Sequence, residues 1–116
     1  MAEVVILHNP ACSKSREALA LLEASGIAPR VVHYLEAPPT VAELDAIVRQ
    51  LGVGPRAIMR LDEPEYAGLG LDDPELAREE LLAAMRAHPN LIQRPIVLAN
   101  GRAALGRPPE AVLAIL

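Results

Sequence analysis

The chain contains one cysteine, Cys12, and this thiol is its best candidate for a reactive group. The apolar residues 4–7 before it predict a strand that is buried on both faces. After it, apolar residues recur at helical spacing from Ser15 until Gly26, a glycine suited to the end of a helix. Cys12 is therefore expected at or just before a helix N-terminus, where free backbone N–H groups and the helix dipole favour a thiolate or a bound oxyanion. Such a position lowers the pKa of a cysteine from about 8.5 to roughly 3.5–7.5.

The alternative is a buried thiol that only packs, because free cysteines are among the most buried residue types. The neighbours Ser13, Lys14 and Arg16 form a polar, partly cationic loop, which apolar packing does not explain. We therefore interpret Cys12 as a reactive nucleophile. His8 ends the predicted strand, where it would stabilise a thiolate if protonated or would simply cap the strand.

Length and composition predict a single domain, residues 1–116, of the globular type, since 52% of the residues are hydrophobic and 22% are charged. No apolar run approaches the roughly 20 residues of a membrane span, and no basic region of a secretory signal precedes the first apolar run. The single cysteine excludes an internal disulfide and fits the cytoplasm. A net charge of −4 and only two aromatic residues disfavour a nucleic-acid partner. We expect no bound metal or cofactor.

The remaining pattern predicts an α/β fold. The expected elements are a strand at residues 30–35, helices at 40–51, 55–60 and 73–87, a loop at 61–72, a hairpin of strands at 95–99 and 102–105, and a short C-terminal helix opened by prolines at 108 and 109. The first strand, helix and strand imply a parallel pair with a right-handed crossover, and Asn100-Gly101 is typical of a hairpin turn. The order fits a thioredoxin-like mixed four-stranded sheet with a helical insertion at about residues 40–88.

In a thioredoxin-like arrangement the Cys12 loop lies beside the loop that enters the hairpin, which would bring Arg94 near the thiol. Pro95 is a candidate cis proline, although X-Pro bonds are usually trans. Arg107 follows the hairpin at the mouth of the sheet, and Arg60 ends the short helix of the insertion. Guanidinium groups bind tetrahedral oxyanions through paired hydrogen bonds, although each of these arginines could instead be a solvated surface charge.

Four segments of the chain, in order and over nearly its whole length, carry a resemblance to a known family. They are HNPACSKSR at residues 8–16, RLDEPEY at 60–66, NLIQRPI at 90–96 and GRP at 106–108. Together they resemble the glutaredoxin-dependent arsenate reductase family, whose superfamily also contains Spx-type regulators. The resemblance implies a nucleophilic Cys12, whose pKa His8 lowers, and an oxyanion site formed by Arg60, Arg94 and Arg107. Supporting roles in the adjoining loops fall to Asn9, Ser15, Arg16 and Pro95.

The resemblance implies reduction of arsenate to arsenite, with glutathione as co-substrate, glutaredoxin as the reducing partner and a monomeric protein. Because Ser15 stands where a dithiol Cys-x-x-Cys protein has its second cysteine, an external thiol must complete the reaction. Family members commonly continue beyond the last helix, and we expect the end at Leu116 to affect stability or a partner surface more than the chemistry.

Two alternatives remain for the function. One is a glutathione-dependent thiol oxidoreductase that acts on a different substrate through the same cysteine. The other is an Spx-like regulatory adaptor that binds RNA polymerase, although those proteins resemble the dithiol pattern that this chain lacks. Arsenate-dependent turnover distinguishes the first alternative, and stable association with the polymerase distinguishes the second.

Overall fold

The computed structural model describes residues 3–116, and its strands form one sheet. The strands are β1 (Val5–His8), β2 (Arg30–His33), β3 (Ile96–Ala99) and β4 (Arg102–Leu105). Their order is β2-β1-β3-β4, with β1 parallel to β2 and antiparallel to β3, and β3 antiparallel to β4. This confirms the predicted mixed four-stranded sheet. Every residue of β1 is buried, as expected for a central strand.

The helical insertion that the sequence predicted between the second and third strands is present. The α-helices are α1 (Ser13–Ala24), α2 (Val41–Leu51), α3 (Pro64–Gly68) and α4 (Arg78–Ala87), and short 3₁₀ helices span Pro55–Ile58, Pro89–Leu91 and Pro109–Ile115. Within the described part of the chain, no helix has the length and apolar character that a bilayer span requires.

The chain divides into two compact units. The first contains residues 3–37 and Arg94–Leu116, which include the whole sheet, and the second is Pro38–Gln93. In the first unit, one face of the sheet packs against α1 and the C-terminal 3₁₀ helix. The buried residues of this core are Ile6, Ala18, Leu22, Val97, Ala99, Ala104, Val112 and Ile115. The packing of α1 on the sheet fixes the position of the N-terminus of α1, which follows β1 in the chain.

In the second unit α2 packs against α4. The predicted capping box is present at the start of α2, where Thr40 Oγ1 accepts from Glu43 N at 3.1 Å and Glu43 Oε1 accepts from Thr40 N at 2.9 Å. An ion pair of 2.6 Å joins Arg78 of α4 to Asp45 of α2. Helix packing and an ion pair therefore both join α2 to α4 within this unit.

The predicted boundaries around the second strand and the first helix are shifted. The strand ends at His33 rather than at residue 35, because the N–H groups of Glu36 and Ala37 both donate to the His33 carbonyl and turn the chain. Helix α1 begins at Ser13, two residues earlier than the apolar spacing indicated. The hairpin turn is confirmed, since Asn100 and Gly101 have φ values of 56° and 70°.

The expectation of a loop at residues 61–72 followed by a helix from residue 73 is wrong. Residues Pro64–Gly68 are helical, with Pro64 in the first turn. Asp73 does not cap a helix, because its Oδ1 accepts from Glu75 N at 2.9 Å and closes a turn instead. Helix α4 therefore begins at Arg78.

Candidate active site

Cys12 is the N-cap residue of α1, which confirms the position predicted from the sequence. Its backbone is extended, with φ −98° and ψ 124°, and the residue is partly exposed. Its N–H donates to the Asn9 carbonyl at 3.0 Å, and its carbonyl accepts from Arg16 N at 3.1 Å. These bonds hold the thiol at the positive end of the helix dipole.

The surroundings of Cys12 favour the thiolate. Burial raises the pKa of the thiol, but the backbone N–H of Ser15, the Arg94 side chain and the backbone N–H of Lys14 lower it by more, so that the pKa lies below its usual value. Among the described residues the thiol makes no capping hydrogen bond of ordinary geometry.

The loop before α1 is held by its own hydrogen bonds. Asn9 Oδ1 accepts from Ala11 N at 3.0 Å, which closes an Asx turn, and Asn9 N donates to Ser15 Oγ at 3.0 Å. Arg16 Nη1 donates to the Pro10 carbonyl at 2.8 Å. Asn9, Ser15 and Arg16 therefore all contact the loop that carries the thiol, as a supporting role requires.

His8 contacts Ser15. Its Nδ1 lies 2.6 Å from Ser15 Oγ, and both residues are buried. Burial lowers the pKa of His8, and electrostatic interactions with His33 and Arg16 lower that pKa further, which favours the neutral ring. Since Ser15 Oγ already accepts from Asn9 N, its proton is available to Nδ1 of a neutral ring.

This arrangement argues against the expectation that an imidazolium charge on His8 stabilises the thiolate. The ring is placed to hold Ser15, whose backbone N–H lowers the pKa of Cys12. The implied influence of His8 on the cysteine stays a prediction, and its route would be through Ser15 rather than through charge.

We expect Ser15→Ala to lower the free energy of unfolding by about 1–3 kcal/mol, because two buried or half-buried polar groups lose their partner. The groups are His8 Nδ1 and Asn9 N. The matched control is Ser25→Ala at the other end of α1, whose exposed hydroxyl bonds only the Leu21 carbonyl, and its expected effect is within about 0.5 kcal/mol. Urea unfolding measures both, and equal stabilities of the two variants would refute the proposed network.

Arg94 and Arg107 are in direct contact in the first unit. Arg107 Nε donates to the Arg94 carbonyl at 3.1 Å. The Arg94 side chain interacts with Cys12 and lowers the pKa of that thiol. Arg94 Nε is buried and has no hydrogen-bond partner within residues 3–116. A guanidinium with an unused donor beside a thiolate is suited to bind an anion.

Pro95 and Gly106 fix the two arginine loops against each other. Pro95 is buried, its carbonyl accepts from Gly106 N at 2.9 Å, and the Arg94-Pro95 and Arg107-Pro108 bonds are both cis. A Cβ at position 106 would lie 2.6 Å from Pro95 Cγ, so only glycine fits. Sequence reasoning did not assign Gly106 a role, although a glycine directly before an arginine of the site is a signal of close approach.

Arg60 belongs to the second unit. Its Nε pairs with Glu63 Oε1 at 3.4 Å, its backbone N–H donates to the Leu91 carbonyl at 2.6 Å, and its Nη1 is buried without a hydrogen-bond partner in the described residues. The short helix before it ends at Ile58, so Arg60 is not a helix-terminal cation. Its role as a third oxyanion ligand stays a prediction.

Sequence reasoning also missed Tyr34. This residue is fully buried and follows β2 directly. Strands β1 and β2 are parallel, and His8 lies opposite His33. The residues that follow these strands, Asn9 and Tyr34, therefore lie at the same edge of the sheet. The signal in the sequence was a lone tyrosine at the carboxyl end of a strand parallel to the one before Cys12.

We expect the alkylation rate of Cys12 by iodoacetamide to rise with pH. The rate should reach half its maximum at a pH below the pKa of a free cysteine, which is about 8.5. The thiolate is the reactive form, and a lowered pKa populates it at lower pH. Because the chain has one cysteine, mass spectrometry of the whole protein gives the rate directly. A midpoint at or above the free-cysteine value would contradict the stabilised thiolate.

Across residues 3–116 no group of three or more His, Cys, Asp or Glu side chains is placed to hold a metal ion. The candidate site contains a thiol, helix N–H donors and guanidinium groups.

The fold and the site define a class: a thioredoxin-like protein with one cysteine, at the N-terminus of α1, beside arginines of the hairpin loops. A model of the ArsC family matches residues 7–115, and the chain belongs to the ArsC family.

Relatives and solved structures agree with this membership. An arsenate reductase of Neisseria meningitidis serogroup A is 53% identical over 117 residues and is covered over 100% of both chains. An uncharacterized protein of Escherichia coli, YfgD, is 50% identical over 98% of this chain and 97% of its own. The structure of an arsenate reductase from Vibrio cholerae is 57% identical, with a TM-score of 0.95 over 98% of each chain. The comparison confirms the predicted thioredoxin-like fold.

Proposed function

We propose that this protein is an arsenate reductase that uses Cys12 as its nucleophile and glutathione with glutaredoxin as its source of electrons. The observation that carries the proposal is the position of Cys12 as the N-cap residue of α1. The interaction of Arg94 with the thiol, which lowers the pKa of Cys12, supports it. The relatives named as arsenate reductases at about this similarity support the choice of substrate. The first unit of one chain supplies the thiol and two arginines, so a monomer suffices for these groups.

Substrate binding rests on charge and on donor geometry. Arsenate is a tetrahedral oxyanion that carries one to two negative charges near neutral pH. The guanidinium groups of Arg94 and Arg107 match two of its oxygens, and the backbone N–H groups at the start of α1 match a third. These donors would hold the arsenic atom against Cys12 Sγ.

The first chemical step is attack of the Cys12 thiolate on arsenic. The sulfur–arsenic bond forms while one arsenic–oxygen bond breaks, and the departing oxygen takes up protons from solvent and leaves as water. Arsenic remains As(V) in this thiol adduct. Guanidinium groups that stabilise charge on the oxygens during attack lower the barrier.

The second step transfers the electrons. A glutathione thiolate attacks Cys12 Sγ, a sulfur–sulfur bond forms, and the electron pair of the sulfur–arsenic bond passes to arsenic. As(V) becomes As(III), which is released as arsenite. Since the chain has one cysteine, the product is a mixed disulfide with glutathione, and a thiol of glutaredoxin then attacks the glutathione sulfur and restores Cys12.

His8 acts in this proposal as a positioning residue. Its bond to Ser15 at 2.6 Å, together with the Asn9 N–H bond to the same hydroxyl, keeps the first turn of α1 in place under the thiol. In this proposal His8 acts through Ser15 and not on the reacting atoms.

The test is NADPH oxidation by the purified protein with arsenate, glutathione, glutaredoxin and glutathione reductase. We expect oxidation that needs arsenate, this protein and glutaredoxin together. Phosphate in place of arsenate should give none, because thiols do not reduce phosphorus, but it should inhibit competitively.

A reactive Cys12 that forms a mixed disulfide with glutathione without any arsenate-dependent oxidation would show a thiol oxidoreductase of another substrate. Oxidation that persists unchanged without glutaredoxin would retain the arsenate step and reject the proposed partner.

A further inference from the structure

The Tyr34 hydroxyl is a buried polar group with no assigned function. The side chain is 0% exposed, and no residue in the described range 3–116 forms a hydrogen bond with its oxygen. Buried hydroxyls are almost always paired, because burial without a partner is destabilising. A tyrosine kept here in place of phenylalanine therefore has a reason other than packing.

The backbone holds this side chain firmly. Tyr34 follows β2 in a turn in which the His33 carbonyl accepts from Glu36 N at 3.0 Å and from Ala37 N at 2.9 Å. The parallel register of His8 with His33 puts Tyr34 at the edge of the sheet where the Cys12 loop begins. The ring is thus presented to the loop by paired strands, not by a mobile segment.

The side chains that shift the pKa of the Tyr34 hydroxyl belong to the candidate site. Burial raises the pKa of Tyr34, the positive charges of Arg94 and Arg107 and the Asn9 side chain lower it, and Cys12 raises it. The net pKa is raised, so the hydroxyl keeps its proton and can donate at neutral pH. The Asn9 side chain is near the hydroxyl but does not form a hydrogen bond of normal geometry with it.

A second unused donor, Arg94 Nε, is buried in the same unit. These two buried donors, a phenol and a guanidinium without partners in residues 3–116, both interact electrostatically with the thiol at the N-terminus of α1. One oxyanion that reaches both would satisfy them together.

We propose that Tyr34 is a further substrate-binding residue, whose hydroxyl donates a hydrogen bond to an oxygen of arsenate held by Arg94 and Arg107. The inference deepens the proposed arsenate reductase function and rests on it. A neutral donor complements the two cations, because it binds an oxygen without adding charge that would have to be desolvated.

The test compares Tyr34→Phe with Tyr66→Phe, which removes the same oxygen from the chain's only other tyrosine, in α3. Two quantities are measured: the arsenate KM in the coupled assay, and the arsenate concentration that half-protects Cys12 from iodoacetamide without glutathione. For Tyr34→Phe we expect both to rise about 10- to 100-fold, the range for a hydrogen bond to a charged group. The KM for glutathione and the melting temperature should not fall or rise appreciably, and Tyr66→Phe should match the unmodified chain.

Unchanged arsenate KM and unchanged protection in Tyr34→Phe, with normal turnover of the unmodified chain, would overturn this inference and leave the proposed function intact. A Tyr34→Phe variant that fails to fold would also overturn it, because the hydroxyl would then have a structural partner. If arsenate neither protects Cys12 nor is reduced in the unmodified chain, the proposed function fails and the inference fails with it.

Discussion

Cys12→Ser is expected to lower arsenate turnover by about a thousandfold or more, since in the proposed mechanism the thiolate both attacks arsenic and forms the disulfide that carries the electrons. A serine oxygen at this position is not ionised at neutral pH and cannot form a mixed disulfide with glutathione. The fold should be preserved, because Cys12 is an N-cap residue and serine is a preferred N-cap.

The coupled NADPH assay measures this loss, and Cys12→Ala serves as the matched variant. Serine is expected to give equal or greater stability than alanine in urea unfolding, while both variants lack turnover. Activity of Cys12→Ser above about a tenth of the unmodified rate would show that another group is the nucleophile.

Arg94→Ala is expected to reduce kcat/KM for arsenate by roughly 100- to 1000-fold, because in the proposed mechanism the guanidinium that lowers the pKa of Cys12 also binds the oxyanion. The midpoint of Cys12 alkylation should move to higher pH, since the donor that lowers the pKa of the thiol is removed. Arg94→Lys should recover the midpoint more than the turnover, because an ammonium keeps the charge but loses the planar pair of donors.

The control for both effects is Arg102→Ala. Arg102 lies in β4 in the same unit, is exposed, and donates to the Ala114 carbonyl at 3.4 Å. Its loss should leave the alkylation midpoint and the turnover unchanged. An Arg94→Ala variant that loses turnover with no change in the midpoint would separate the two roles and refute the shared guanidinium.

The position of Cys12 could be predicted from the sequence because its causes are local. An apolar run followed by Asn9-Pro10 and an amphipathic helix leaves few places for the residue between them, and the structure has Cys12 as the N-cap of α1. The hairpin could also be predicted from local causes, since Asn100 and Gly101 favour the positive φ values that its turn requires.

The helices after α2 were predicted less well because their limits depend on competing local bonds. Asp73 followed by proline resembles a helix start, but its carboxylate bonds Glu75 N and closes a turn, so α4 begins later. Five residues at 64–68 form a helix too short for its apolar spacing to be read.

Two features of the site depend on residues that are distant in the sequence. Tyr34 lies at the sheet edge where the Cys12 loop begins because of the register of β1 with β2, and a glycine is required at position 106 by the close approach of its backbone to Pro95. The same holds for His8, whose pKa is lowered by burial and by His33 and Arg16 together. None of these contacts could be predicted from the spacing of residues along the chain.

The most direct test of the account is the intact mass of the protein after one turnover with arsenate and glutathione, without glutaredoxin. We expect one glutathione to be joined to Cys12 for each arsenite released, only when arsenate is present, and glutaredoxin to remove it. Arsenite release without this adduct, or an adduct that forms equally without arsenate, would contradict reduction of arsenate through a single cysteine.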